Sequence, residues 1–472
     1  MRASRRAKAD PPPRPRGDRS GPDPRATGRA RGGPAVGLAA LVLAVTAGVA
    51  ADPAALVART ATATAPGTGE TTRVAVQAVG MRFVPSRIEV PAGNRLVIDL
   101  TNTDDRQVHD LVLDTGQASG RLSPGGSATV DAGVVGGAVS GWCSIVGHRQ
   151  MGMVLDIAVT GSPAARPDPG AAGAARPVTA AGDLDFLAEP GPGFTAHDPA
   201  LPPLPSGTVH RRTFTVRELD REVAPGVSQR LWTFDGAAPG PTLHGRVGDT
   251  FEITLVNGGS IGHSIDFHAG SLAPDQPMRT IAPGESLVYR FTATHAGAWM
   301  YHCSSMPMSA HIANGMFGAV VIDPPGLPTV DRSYVLVQSE LYLGPQHGTV
   351  DVDGLRAERP DAVVFNGYAN QYDHRPLTAR VGERVRIWVL DAGPDRATAF
   401  HVVGGQFDTV YAEGGYRLRP DTGDGGSQAL ALGPSQGGFV ELSFPEAGHY
   451  PFVSHSMVDA ERGAHGIVAV TG

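Results

Sequence analysis

Short runs in which apolar and polar residues alternate recur along the chain from about residue 73 onwards. RVAVQAV at 73–79, RLVIDLTN at 95–102 and TFEITLVN at 250–257 are examples, and Gly, Pro or Asn residues bound most of them. A period of two residues is typical of strands that turn one face to a core. No long amphipathic helical period follows residue 70. The pattern therefore predicts an all-β chain of β-sandwiches.

Two kinds of phrase recur three times and divide the chain into units. The first kind runs from a turn into a strand and occurs as VPAGNRLVIDLTN, GRVGDTFEITLVN and ARVGERVRIWVLD. The second kind lies near the end of each unit and occurs as GGAVSGWCSI, AGAWMYHCSS and AGHYPFVSHS. Repetition of this kind indicates three tandem copies of one sandwich. We predict units at residues 71–160, 207–325 and 326–472, with a Pro/Gly/Ala-rich linker at 161–206 and a basic N-terminal region and tether at 1–70.

The charge distribution separates the N terminus from the rest of the chain. Residues 1–34 carry ten basic and three acidic side chains, so the remainder holds a net charge of −14 within a total of −7. An acidic body argues against nucleic acid as a partner. The apolar segment Ala35–Ala51 predicts either a cleaved export signal or a retained membrane anchor. We therefore expect an exported protein, periplasmic or on the extracytoplasmic face of the membrane.

The chain has two cysteines, and each begins a similar pattern of potential ligands. Cys143 is followed by His148 and Met153, and His109 precedes it on an apolar run. A thiolate, two imidazoles and a weak thioether select copper for electron transfer, the type-1 site. A buried cysteine among unrelated His and Met residues is the alternative, but four such residues at these spacings favour copper. Met151 competes with Met153 for the axial position.

The second cysteine repeats this ligand set. His263, Cys303, His311 and Met316 predict a second type-1 copper, with a longer interval between the cysteine and the following histidine. A loop between two strands would bring the cysteine, histidine and methionine together, and His263 would reach in from a neighbouring strand.

A further site is predicted on the outer face of the second unit. His302 directly precedes Cys303, and neighbours on a strand point to opposite faces. His263 and His268 are separated by an odd number of residues, so they also point oppositely. His268 and His302 are thus expected to share an outward metal site, although two exposed histidines are the alternative.

The third unit has no cysteine, and His455 stands where the repeat places Cys143 and Cys303. A third imidazole would complete a three-nitrogen copper site with one open position, the arrangement suited to catalysis.

These motifs together resemble the copper-containing nitrite reductases over residues 207–472. Four segments carry the resemblance: HSIDFHAG, the sequence from YHC to GM, FHVVGG and FVSHSMVDAERGAHG. It implies Greek-key sandwiches of the cupredoxin type, a homotrimer, and reduction of nitrite to nitric oxide with electrons from a small copper protein or a cytochrome. The first unit resembles an additional cupredoxin, which implies two type-1 coppers and one type-2 copper per chain.

The resemblance also implies residue roles in the third unit and at the outer site. His268 and His302 would bind type-2 copper together with His455 of the neighbouring subunit. Asp266 and His401 would be the catalytic acid pair beside it. Val403 would line the substrate pocket, where many members carry Ile.

Two alternative functions stay open at this point. A laccase-like multicopper oxidase shares the fold but needs a trinuclear cluster supplied by His-x-His pairs, and this sequence contains no such pair. A non-catalytic copper electron carrier would require the outer histidines to bind no metal.

Overall fold

The computed structural model describes residues 67–149, 151–160, 179–421, 423 and 425–472. The predicted apolar segment Ala35–Ala51, the tether up to residue 66 and the linker at 161–178 lie outside the described residues. Within the described part of the chain, no helix has the length and apolar character needed to cross a membrane.

The first unit is a sandwich of two four-stranded sheets, ordered β2-β1-β4-β6 and β3-β8-β7-β5. Its strands are β1 Thr71–Val79, β2 Arg82–Val84, β3 Arg87–Pro91, β4 Arg95–Asn102, β5 Val112–Leu113, β6 Ser127–Val134, β7 Val139–Trp142 and β8 Val154–Thr160.

The second unit repeats this plan with sheets ordered β10-β9-β12-β14 and β11-β16-β15-β13. Its elements are β9 Val209–Ala224, β10 Val227–Phe234, β11 Leu243–Arg246, β12 Thr250–Asn257, β13 Asp266–Phe267, β14 Ser286–Thr292, β15 Gly297–His302, α1 Met308–Ala313 and β16 Phe317–Asp323. A single turn of 3-10 helix, Ala180–Asp183, lies before it.

The third unit is larger, with sheets ordered β18-β17-β20-β25-β22-β23 and β19-β27-β26-β21-β24. Its strands are β17 Arg332–Leu341, β18 Ala362–Phe365, β19 Leu377–Arg380, β20 Arg384–Asp391, β21 Thr398–Val402, β22 Thr409–Ala412, β23 Gly415–Leu418, β24 Leu430–Leu432, β25 Gly437–Ser443, β26 Gly448–Ser454 and β27 His465–Thr471. Its short helices are α2 Val352–Arg356, α3 Gln371–His374 and α4 Met457–Glu461.

One pattern of strand pairing occurs in all three units. The first strand runs parallel to a central strand in β1–β4, β9–β12 and β17–β20. The last strand pairs antiparallel with the strand before it in β7–β8, β15–β16 and β26–β27. The predicted all-β sandwich fold is confirmed, and the recurring sequence phrases correspond to these equivalent strands.

Alternation along the strands produces the cores. On β12, Phe251, Ile253 and Leu255 are buried while the residues between them are partly exposed. β20 instead is buried on both faces because the second unit covers its outer side, where Trp388 joins a cluster with Ala298 of β15. A Cβ atom on Gly437 would lie 2.1 Å from the carbonyl oxygen of Ala298, so this contact depends on glycine.

Several histidines outside the predicted sites form structural pairs with carboxylates. His210 contacts Asp249 at 2.8 Å, and His465 Nε2 contacts Asp373 Oδ2 at the same distance. His465 also donates through Nδ1 to the carbonyl oxygen of Ala460 at 2.6 Å. The hydrogen bond with Asp373 raises the pKa of His465 above its ordinary value despite partial burial.

This raised pKa makes a specific pH dependence of stability testable with His465→Asn. Protonated His465 binds Asp373 in the folded state, so its stabilisation is complete below the unfolded pKa and disappears as pH rises through the folded pKa. We expect the variant to lower the free energy of unfolding by about 1 kcal/mol at pH 5.5 and by less at pH 8.5. Denaturant unfolding at both pH values measures this difference. A cost that does not change with pH would contradict the assignment.

Candidate copper centres

The second unit's cysteine lies at the end of β15, in the interior of the sandwich. Cys303 is fully buried, and the short helix α1 follows it and carries His311. The sequence predicts an irregular loop here, whereas the structure forms a helix of six residues. His263 reaches the cluster from the segment before β13, where its backbone forms a bridge to Ile281.

The potential ligand atoms of this inner cluster converge. Cys303 Sγ lies 3.2 Å from His311 Nδ1 and 3.9 Å from His263 Nδ1. Backbone hydrogen bonds fix Met316 beside them, because the Cys303 N–H donates to the Met316 carbonyl and the Met316 N–H donates to the His311 carbonyl, each at 3.1 Å. Met316 is fully buried, and the N–H of Ser264 donates to the cysteine sulfur at 3.4 Å.

The first unit reproduces this arrangement. The Cys143 N–H donates to the Met153 carbonyl at 3.1 Å, and the Met153 N–H donates to the His148 carbonyl at 3.0 Å. Cys143 Sγ lies 3.4 Å from His148 Nδ1, and His109 completes a group whose ligand atoms all lie within 4.8 Å of one another. Met153 is fully buried whereas Met151 is 40% exposed, which favours Met153 for the axial position.

Burial controls the protonation of both clusters. It lowers the pKa of His148 and of His311 to about 3, so both imidazoles are neutral near pH 7 and keep a lone pair for a metal. Burial also raises the pKa of the Cys143 thiol to about 12, assisted by the charge of Asp110. Burial is the largest influence on Cys303 and acts in the same direction, but His263 and the backbone N–H groups of Ser264 and Ser305 together outweigh it, so the pKa falls below the ordinary value.

The donor set fits copper. His109 Nδ1 is buried without a hydrogen-bond partner, a costly arrangement unless its lone pair meets a metal. Its other nitrogen, Nε2, lies 3.4 Å from Asp104 Oδ2. In the second unit Glu218 lies beside His263, and this contact, with hydrogen bonds from Ser260, lowers the pKa of Glu218 to about 2 although burial opposes it. Carboxylates that contact ligand histidines orient the ring.

The outer cluster forms on the opposite face of β15. His268 Nε2 and His302 Nε2 lie 3.1 Å apart, and Asp266 Oδ2 lies 3.7 Å from the first and 4.0 Å from the second. His302 donates through Nδ1 to the Cys303 carbonyl at 3.0 Å, so its Nε2 carries the free lone pair. Burial, and then the proximity of His302, lower the pKa of His268. Two imidazole lone pairs that face each other suit a shared metal ion.

Tyr289 orients Asp266 and is a residue that the sequence does not point to. Tyr289 is fully buried on β14, and its hydroxyl donates to Asp266 Oδ1 at 3.2 Å. This contact leaves Oδ2 facing the two histidines. Tyr289 is an ordinary inward-facing strand residue in the sequence, so no local signal distinguishes it. Glu218 is likewise far from His263 in the sequence.

The remaining predicted site residues lie together in the third unit. The rings of His401 and His455 are 5.5 Å apart, and His401 donates through Nδ1 to the Gln428 carbonyl at 2.5 Å. Val403 follows His401 by two residues in the sequence and is 45% exposed. Among the described residues, the group of ligand atoms within 4.8 Å at the outer site contains Asp266, His268 and His302 only. Within one chain the residues predicted for the type-2 site therefore fall into two separate groups.

Comparison with known proteins assigns the family. Copper-containing nitrite reductase of Neisseria gonorrhoeae is 35% identical over 293 residues, which span 59% of this chain and 73% of the relative. The chain belongs to the copper-containing nitrite reductase family. The relative from Pseudomonas chlororaphis is 32% identical over 285 residues and is matched over 74% of its length.

Solved structures and family profiles agree with this membership. The structure of copper nitrite reductase from Nitrosomonas europaea aligns with a TM-score of 0.52 at 36% identity, covering 56% of this chain and 94% of that one. That of the Thermus scotoductus enzyme aligns at 0.51 and 30% identity, covering 56% and 62%. The multicopper oxidase profile matches residues 215–326, and the cupredoxin-like domain profile matches residues 41–134.

Methionine variants distinguish the two axial candidates of the first cluster by visible absorption. We expect Met153→Leu in the copper-loaded protein to shift the thiolate-to-copper band of the Cys143 centre, since the axial ligand tunes such sites. Met151→Leu is the matched control and should leave the spectrum unchanged. Cys143→Ser should remove about half of the total band, because an equivalent centre remains at Cys303. A shift with Met151→Leu alone would reverse the assignment.

Proposed function

We propose that this protein is a nitrite reductase that forms nitric oxide, with a type-1 copper at Cys303 and a type-2 copper at His268 and His302. The adjacency of His302 and Cys303 is the observation that carries the proposal. One residue faces the outer cluster and the next faces the inner cluster, so a single peptide unit joins the two ligand sets. A non-catalytic electron carrier would need only the inner cluster of ligands around Cys303.

The reaction requires one electron and two protons for each nitrite, and yields nitric oxide and water. When bound, copper supplies the one-electron chemistry and a Lewis-acidic open coordination position. The protein supplies the protons. Asp266 is suited to this role because Tyr289 occupies Oδ1 and leaves Oδ2 free to hold and release a proton beside the two histidines.

His401 would serve as the second proton donor. Its Nδ1 is engaged by the Gln428 carbonyl, so Nε2 is the nitrogen available to exchange a proton. His455 lies beside it and would add the third imidazole to the type-2 site. Both belong to the half of the site that lies apart from Asp266 within one chain.

The division into two halves supports assembly of the site between copies of the chain. His401, His455 and Val403 from one copy would meet Asp266, His268 and His302 from the next. Each copy carries both groups of residues, so the contact between copies would be head to tail. In a closed ring of three copies, every group would then meet its complementary group on a neighbouring copy. We therefore propose a homotrimer with one type-2 copper at each subunit interface.

The external partners and location follow from the same proposal. Electrons would come from a small copper protein or a cytochrome, and the enzyme would act outside the cytoplasm, in the periplasm or at the extracytoplasmic face of the membrane.

Nitric oxide formation tests the function directly. We expect the copper-loaded protein, given nitrite and a reduced viologen, to produce nitric oxide, and Asp266→Asn to lower the rate about 100-fold through loss of the proton donor. Asp275→Asn, an exposed acid of the same unit, is the matched control and should keep the wild-type rate. A nitric oxide electrode measures all three rates. If wild type binds three coppers per chain yet forms no nitric oxide, the nitrite reductase assignment is wrong; two coppers per chain and no nitric oxide would instead favour the non-catalytic carrier.

Mixing two inactive variants tests the shared site. His268→Ala and His455→Ala should each abolish activity alone. Subunits of both kinds assembled together should recover about a quarter of the wild-type activity, because a random ring pairs the two intact halves at one interface in four. Each variant refolded by itself is the control. Activity of His455→Ala alone, or no recovery on mixing, would contradict assembly between subunits.

A further inference from the structure

The copper-binding end of the first unit packs against that of the second. Gly147 directly precedes His148, and a Cβ atom on it would lie 2.2 Å from Pro307 Cγ, four residues before His311. Gly147 also has a φ of +83°, which favours glycine. The two segments that carry the cysteine-proximal histidines therefore meet with no space for a side chain between them.

Apolar contacts continue this interface onto α1. Val146 packs against the cluster that contains Ala310 and Ala313, on either side of His311. His148 and His311 are each only 2% exposed. The segments that carry both imidazoles are therefore buried where the two units meet.

A polar connection joins the other edges of the two sites. Arg121 of the first unit donates to the Ser260 hydroxyl, and that hydroxyl donates to Glu218 at 2.8 Å. Glu218 in turn lies beside His263. Close by, a Cβ atom on Gly262 would lie 3.2 Å from the carbonyl oxygen of Arg106. The first unit therefore covers the segments around both histidines of the Cys303 cluster, His263 and His311.

The inner cluster of the first unit lies beside a cavity that opens to solvent. A cavity of about 470 Å³ lies between the first and third units and is lined by Trp142, Cys143 and Arg149 on one side and by Asp351 and Asp353 on the other. Solvent thus reaches the surroundings of Cys143, while the first unit covers His311.

We infer that electrons enter this protein through the first unit, which occupies the surface over His311 and passes them across the contact between the Gly147 and Pro307 segments. This inference rests on the proposed function. In each step a reduced protein donor gives one electron to the Cys143 centre, which then gives one electron to the Cys303 centre and is itself reoxidised. No proton or bond is exchanged. The first unit is therefore a built-in partner that replaces direct docking of a donor on the second.

Stopped-flow absorption without nitrite tests the route in the full copper-loaded chain. The probe is ferrous cytochrome c, and the signal is loss of the thiolate-to-copper band of the Cys303 centre. We expect Cys143→Ser to slow this reduction about tenfold, since the donor then lacks its entry point. Arg121→Glu keeps both ligand sets but opposes Glu218, and should slow it similarly. Arg73→Glu changes an exposed arginine that pairs with Asp99 within the first unit and should have no effect.

Hydrogen exchange of residues 304–313 gives a second readout that does not depend on electron transfer. Arg121→Glu should raise exchange there by exposing the His311 segment, whereas Arg73→Glu should not. Equal rates of Cys303 reduction in wild type and Cys143→Ser, whether fast or slow, would overturn the inference, as would unchanged exchange in Arg121→Glu. Because nitrite is absent from both measurements, their outcome is separate from that of the nitric oxide assay.

Discussion

The alternation of side chains along β15 is the constraint on which the rest of the structure depends. Successive residues of a strand point to opposite faces, so His302 and Cys303 belong to different clusters while sharing one peptide unit. The inner face is buried, which suits a thiolate and neutral imidazoles. The outer face is partly open, which suits a site that must admit a substrate. Under the proposed function, this strand would separate electron storage from chemistry while keeping the two sites adjacent.

The first unit shows what the same backbone does without the outer histidine. As in the second unit, the cysteine N–H donates to the methionine carbonyl, and the methionine N–H donates to the histidine carbonyl. The residue before the cysteine is Trp142, with Arg149 stacked 4.2 Å from its ring, and the described residues around it hold no second group of potential ligands. The two inner clusters thus have nearly equal construction and different surroundings.

The third unit contributes without any cysteine. The strand equivalent to β15 is β26, and it ends just before His455. His455 and His401 therefore project from the end of this sandwich, and the proposed type-2 site would need them from a second copy of the chain. Under the proposed function, repetition of a single fold would supply a carrier, a relay and a cover for the catalytic position.

The sequence by itself determined the fold class, and it singled out the repeated strands and the residues that gather in the two inner clusters. Each of these follows from local backbone geometry: period-two alternation, turn residues and the spacing of ligands on one strand and its loop. It also placed His268 and His302 on one face by parity alone. It did not predict the helix α1, because six residues are too few to show a helical period.

Only the tertiary structure decided which distant surfaces meet. Tyr289 at Asp266, Glu218 at His263 and the first unit over His311 all join segments far apart in the chain. Such contacts depend on the shapes of whole sandwich faces and on side chains that look ordinary in their own strands. The pattern along the chain determines to which face of a strand a side chain points, whereas packing determines which other residues that side chain contacts.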